Sequence, residues 1–184
     1  GKDTINVGNG FNIAVGGADR DSITVNGTRQ DARGIVLGDN GRMLLDSQDR
    51  LVVIESIPTL NELGSLEYFG DQDVIKLTDG VNTVIGGVAG DEIDAGSGRN
   101  TILGDDGKAE FDEGELRVIY STNSGEGGED QIEVSNGVNT VIGGAAEDLI
   151  TLGAGTNTVL GDEGEMVIDG QTNEKKIQSL AGDV

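Results

Sequence analysis

Six aspartates carry the chemistry this chain can do. Asp3 and Asp21, Asp73 and Asp91, and Asp130 and Asp148 stand eighteen residues apart in pairs. Carboxylates that recur at a fixed interval recur at one edge of a repeating fold. Stacked at a strand spacing of about 4.8 Å, they repel one another unless a cation lies between them. Calcium suits that place, because it takes six to eight oxygens from carboxylates and backbone carbonyls. Magnesium suits it less, because it prefers a rigid octahedron and keeps its waters. The chain has 34 acidic and 12 basic residues, a formal charge of −22, and neither His nor Cys. Thiolate chemistry, the commonest general base and the usual zinc ligand are therefore all missing. The charge opposes folding unless cations neutralise it. It also argues against nucleic acid, which is bound by clustered Lys and Arg.

The elements that must position these residues follow a nine-residue frame. In the middle of the chain it runs Asp73, Asn82, Asp91, Asn100, Ala109, each followed two residues on by Ile75, Val84, Ile93, Ile102 or Phe111. Later it runs Asp130, Asn139, Asp148, Asn157, Met166, with Ile132, Val141, Ile150, Val159 and Ile168. The first part gives Asp3, Asn12, Asp21, a slip of four residues, then Gly34 and Met43, with Ile5, Ala14, Ile23, Val36 and Leu45. A self-similar period is the mark of a solenoid. The pairs Asn9-Gly10, Asp79-Gly80 and Asn136-Gly137 are also good hairpin signals. Hairpins need no fixed period, so the frame favours parallel coils.

Two frames make one coil of eighteen residues, with the apolar residue pointing inward. The expected fold is an all-β parallel β-solenoid with about three coils per block, about nine in all. The Asp row falls on one edge and the Asn row on the other. Stacked Asn side chains can hydrogen-bond to one another and to the turn backbone, forming an uncharged ladder. The Asp row should lapse once per block, where Met43, Ala109 and Met166 take its place in the frame. Thr83, Thr101, Thr140 and Thr158 follow the Asn residues. A solvated strand position is a simpler reading of them than a flat ice-binding array.

Three blocks align, each followed by a non-repetitive link: residues 1–67, 68–124 and 125–184 with their links. Leu51–Ile54 and Leu116–Tyr120 in the links are expected to be strands. The segment 57–63, with the only proline, is expected to be a turn or short helix. Residue 1 stands inside a repeat, and Ala181–Val184 resembles the start of another, so the chain reads as an excerpt of a longer one. It has no apolar run of the roughly 18 residues a membrane span needs.

Gly86-Gly87-Val88-Ala89-Gly90-Asp91-Glu92-Ile93-Asp94 resembles the hemolysin-type (RTX) calcium-binding nonapeptide Gly-Gly-x-Gly-x-Asp-x-U-x, where U is large and apolar. Gly16–Thr24 and Gly143–Thr151 are similar. The resemblance implies a right-handed parallel β-roll, calcium between successive turns, and export to a calcium-rich exterior. Carried over by motif, the metal ligands are Asp3, Asp21, Asp73, Asp91, Asp130 and Asp148, with carbonyls near Gly16, Gly86 and Gly143. Asp39, Asp105 and Asp162, in the recurring Leu-Gly-Asp turns, are second-choice ligands. The fourth-position glycine of the motif is replaced by Asp19, Ala89 and Ala146. Asn or Gly stands in every second frame, which implies one calcium row rather than two.

No cleft with paired acids and no nucleophile with a base is expected, so an enzyme is not. The expected role is a calcium-dependent structural segment of a large secreted or surface-attached bacterial protein, such as an adhesin stalk, matrix or fibre. The alternatives are a secretion and folding module appended to a toxin or protease, and a filament-forming subunit. The expected partners are calcium ions and neighbouring repeats or copies of the chain itself, without nucleic acid or membrane insertion.

Overall fold

The computed structural model describes residues 1–27, 32–60, 63–172 and 174–180. Among them there are twenty strands, β1 to β20 along the chain, and no helix. The first sheet joins β1 (Thr4–Val7), β3 (Ser22–Val25), β9 (Val74–Leu77), β11 (Glu92–Ala95), β15 (Gln131–Val134) and β17 (Leu149–Leu152), in that order. The second joins β2 (Phe11–Val15), β4 (Arg33–Leu37), β10 (Gly80–Ile85), β12 (Gly98–Leu103), β16 (Gly137–Gly144) and β18 (Gly155–Asp162). Both are parallel throughout.

The frame sets the register. Ile5, Ile23, Ile75, Ile93, Ile132 and Ile150 are successive partners in the first sheet. Ala14, Val36, Val84, Ile102, Val141 and Val159 are successive partners in the second. All but Val159, at the last coil, belong to the core between the two sheets. Each fully buried Ile or Val in that stack contributes about 1.5–3 kcal/mol. The four-residue slip falls between β3 and β4, so Gly34 takes the place of an Asn, opposite Asn12 and Asn82. The Asp79-Gly80 and Asn136-Gly137 turns carry the chain from one sheet to the other and close no hairpin.

The coil count differs from the expectation. Each parallel sheet has six strands, which makes six coils, two per block, rather than about nine. The fifth frame of each block leaves the roll. It forms β5 (Gly41–Leu45), β13 (Gly107–Asp112) or β19 (Gly164–Ile168). The chain then turns back as β6 (Leu51–Ser56), β14 (Glu115–Ser121) or β20 (Lys175–Ser179). These six strands form a third, antiparallel sheet in the order β20-β19-β14-β13-β6-β5. Leu51–Ile54 and Leu116–Tyr120 are strands, as their composition requires.

The third sheet covers the outer face of the second. Ile35, Leu37, Ile85, Leu103 and Ile142 form a second core with Ile54, Ala109, Ile119 and Met166. Met43, Ala109 and Met166 thus leave the Asp row because they serve this core. The threonines are not solvated as expected: Thr83, Thr101 and Thr140 are buried, because the third sheet lies over that face. The described residues of the segment around Pro58 form no helix. There β7 (Thr59–Leu60) pairs antiparallel with β8 (Leu66–Glu67). The repeat start read at Ala181–Val184 lies outside the described residues.

Candidate metal-binding edge

Each second-sheet strand runs into or through a glycine at this edge. After β2, β10 and β16 a short turn leads to Asp21, Asp91 or Asp148 ahead of the next first-sheet strand, whereas after β4, β12 and β18 the chain enters the third sheet. The glycine column is Gly16, Gly38, Gly86, Gly104, Gly143 and Gly161, held by bonds such as Gly38 N–H to Ile85 O at 3.0 Å and Gly86 N–H to Leu103 O at 3.0 Å. Gly17, Gly87 and Gly144 follow with φ of 115°, 123° and 133°, a backbone that a side chain rarely tolerates. Ala89 (φ 72°) and Ala146 (φ 74°) are left-handed too, at the position where the motif has Gly. That conformation costs a non-glycine residue about 1–2 kcal/mol, which explains the motif's preference.

The aspartates form one unbroken column. Oδ1 of Asp21 accepts the Asp3 N–H at 2.6 Å, and Oδ1 of Asp73 accepts the Asp21 N–H at 2.6 Å. Oδ1 of Asp91, Asp130 and Asp148 likewise accepts the N–H of the preceding Asp at 2.7, 2.7 and 3.0 Å. The expected lapse once per block does not occur. The hairpins of the third sheet leave and re-enter at this edge, so Asp73 stacks on Asp21 and Asp130 on Asp91.

The other oxygen of each carboxylate is the informative one. Oδ2 of Asp21, Asp73, Asp91, Asp130 and Asp148 is buried and has no hydrogen-bond partner. A glycine carbonyl of the next coil converges on the same space. A methyl built on Gly38 would lie 2.3 Å from Gly86 O and 2.4 Å from Asp73 Oδ2. One built on Gly86 would lie 2.1 Å from Gly104 O and 2.3 Å from Asp91 Oδ2. Gly16, Gly104 and Gly143 repeat this with Asp21, Asp130 and Asp148. The carbonyls on this line are those of Gly38, Gly86, Gly104, Gly143 and Gly161. Gly38, Gly104 and Gly161 escaped the sequence reading. Their signal was that the glycine of Leu-Gly-Asp occupies the same register as the first glycine of Gly-Gly.

Asp39 and Asp105 lie at the same edge with a different arrangement. Asp39 Oδ2 accepts the Val88 N–H at 2.8 Å, and its Oδ1 is buried without a partner. Asp105 accepts Ala145 N–H at 2.6 Å and Gly128 N–H at 3.0 Å, tying a turn of the roll to the returning link. Asp3 and Asp162 are exposed at opposite ends of the column. Burial, reinforced by neighbouring carboxylates, pushes the Asp91 carboxyl up to about 10 and Asp130 up to about 9. Burial likewise lifts Asp39 to about 9, Asp105 to about 8 and Asp73 to about 7, and raises Asp148.

The opposite edge is neutral. Asn82 donates to Asn100 Oδ1, Asn100 to Asn139 and Asn139 to Asn157, each at 2.9 Å. Each also donates to the carbonyl four residues before it, as in Asn82 to Thr78 O at 3.0 Å. This is the expected ladder, broken only where Gly34 separates Asn12 from Asn82.

Among the described residues no three acidic side chains converge on one point. The donor set at each step is a single buried carboxylate oxygen with backbone carbonyls beside it. Such a set suits a hard cation that accepts many oxygens, and it offers nothing to a soft metal.

Parallel coils with glycine turns and a carboxylate column define a nonapeptide-repeat solenoid. The family model described as "RTX calcium-binding nonapeptide repeat (4 copies)" matches residues 1–27, 77–108 and 133–165, half of the chain. The chain belongs to this family. Its repeats bind Ca2+, so calcium is the cofactor, and the repeat is a structural calcium-binding unit rather than a catalytic one. No curated protein and no solved structure matches the chain.

Proposed function

We propose that this chain is a calcium-dependent structural segment, a right-handed β-roll, of a large secreted or surface-attached bacterial protein. Calcium is held along the glycine–aspartate edge. Asp21, Asp73, Asp91, Asp130 and Asp148 offer Oδ2, and Gly38, Gly86, Gly104, Gly143 and Gly161 offer carbonyl oxygens. Asp3 contributes at the first coil. The carbonyls of Gly16, Gly86 and Gly143 and the carboxylates of Asp39, Asp105 and Asp162 belong to the same edge. The observation that carries the reading is the column of buried carboxylate oxygens without partners. Burying an unpaired charge is strongly unfavourable, so a row of five calls for a counter-ion.

Calcium then works through the fold. Where the ion is scarce the column repels itself and the chain stays open. In a calcium-rich exterior binding supplies folding free energy. RTX repeats occur in secreted bacterial proteins, and no described helix is long and apolar enough to cross a membrane. The third sheet favours a mechanical role over that of a folding module for another domain. It adds a second core beside the roll, which stiffens a rod.

Circular dichroism during a calcium titration tests this. The β signal should be absent in excess chelator at neutral pH and grow to saturation with added calcium. An equally folded chain in chelator refutes the reading.

A further inference from the structure

The second and third sheets meet closely at the glycine edge and part toward the Asn edge. Ile85, Leu103 and Ile142 are at most 1% exposed, whereas Val81 and Val138 at the other ends of the same strands are 37% and 43% exposed. Between the parted sheets runs a groove along the roll axis. One wall is a register row of Phe11, Arg33, Val81, Arg99 and Val138, each paired with the next across adjacent strands. Arg33 and Arg99 are two strand spacings apart, about 10 Å. The third sheet supplies Phe111, Leu116, Arg117 and Lys175.

The charge of this groove is opposite to that of the molecule. The chain has 34 acids and 12 bases, yet four bases and one acid, Glu115, line the groove. Outside the groove some bases pair with carboxylates, as Arg42 does with Glu55 and Lys76 with Glu92. Here Arg33 and Lys175 make no ion pair among the described residues, and Arg99 shares Glu115 at 2.9 Å. Arg117 Nη2 lies 3.8 Å from Asp112 Oδ2, while its Nε is buried with no hydrogen-bond partner.

We propose that this groove binds an extended saccharide chain bearing carboxylates, of the uronate class. The floor strands β4, β10 and β12 are paired on both sides, so no backbone groups are free to add a peptide strand. Recognition must come from side chains. Guanidinium groups match carboxylates in two-pronged geometry. Thr83, Thr101 and Thr140 on the floor offer hydroxyls to sugar hydroxyls. Phe11, Val81, Phe111 and Val138 offer apolar surface to the ring faces. Two of the three Phe residues of the chain lie in this groove.

The test is calorimetric titration of the whole chain with oligogalacturonate, at a fixed excess of calcium, with the roll monitored by circular dichroism. The expected result is saturable binding that weakens at least tenfold in an Arg33→Gln, Arg99→Gln double variant. Methyl-esterified oligogalacturonate should not bind. Glu115→Gln, which releases Arg99, should bind several-fold more tightly, and this arm decides the matter if the double variant loses its fold. Absence of binding, unchanged affinity in the folded double variant, or no gain in Glu115→Gln overturns the proposal. Equal affinity for poly-L-glutamate overturns it in favour of an acidic peptide.

Discussion

Asp91 has two oxygens with different fates. Oδ1 closes the turn by accepting the Asp73 N–H; Oδ2 is buried without a partner beside the Gly104 carbonyl. An Asp that merely forms a turn needs only the first oxygen, and Asn supplies that oxygen equally well. Asp91→Asn therefore separates the two roles. In chelator the variant should be the more stable chain at neutral pH, because it removes a carboxyl that burial pushes up to about 10. Between its ordinary value and pH 7 that carboxyl costs the fold roughly 4 kcal/mol at about 1.4 kcal/mol per pH unit. In excess calcium the order should reverse, because one ligand of the column is gone. Thermal melts in excess calcium, and in chelator the pH at which each chain loses its β signal on titration upward from about pH 5, check this. A loss of similar size in both conditions would reduce Asp91 to a turn-former.

At the scale of elements, the two parallel sheets were legible in the sequence and the third was not. The Asp/Asn frame fixes which residues stack, so the isoleucine column and the Asn82–Asn100 ladder follow from spacing alone. The antiparallel sheet is built from links of unequal length, 47–67, 113–124 and 170–182, which share no period. A signal was nonetheless present. First-sheet strands alternate, as in Ile75-Lys76-Leu77, whereas second-sheet strands run on as Thr83-Val84-Ile85 and Thr101-Ile102-Leu103. A continuous apolar run marks a strand buried on both faces. The unbroken Asp column was hidden for a related reason. Asp21 and Asp73 are 52 residues apart and Asp91 and Asp130 are 39, intervals in which the hairpin excursions disguise adjacency. Leu103 tests the third sheet directly, since it points away from the roll interior and is 1% exposed. Leu103→Ala should cost about 2–5 kcal/mol in a calcium-loaded denaturation curve. Val138→Ala, on the same face but in the open groove, should stay within about 1 kcal/mol of wild type. Equal small effects would mean that the face is solvated.

For the whole molecule the decisive quantity is the proton balance of the metal-free column. Asp39, Asp73, Asp91, Asp105 and Asp130 have folded values of about 9, 7, 10, 8 and 9, raised from 3.8. The folded chain thus binds more protons than the unfolded chain, and stability falls as pH rises. The contribution is full below about pH 4 and is lost between there and the folded values of about 7 to 10. Each group accounts for about 1.4 kcal/mol per pH unit in that window. Five such groups, even at half effect, amount to about 11 kcal/mol by pH 7, comparable to the roughly 5–15 kcal/mol that holds a domain together. In chelator, lowering the pH from 7 to 5 should therefore restore β structure. Calcium should do the same at pH 7 by replacing the protons. With calcium in excess the trend should invert, since protons then compete with the ion for the same oxygens. Urea denaturation midpoints across pH 4–8 with calcium, and across about pH 4–6 in chelator where the chain is folded, would give two curves of opposite slope. Parallel curves would mean that these carboxylates are not the link between the ion and the fold.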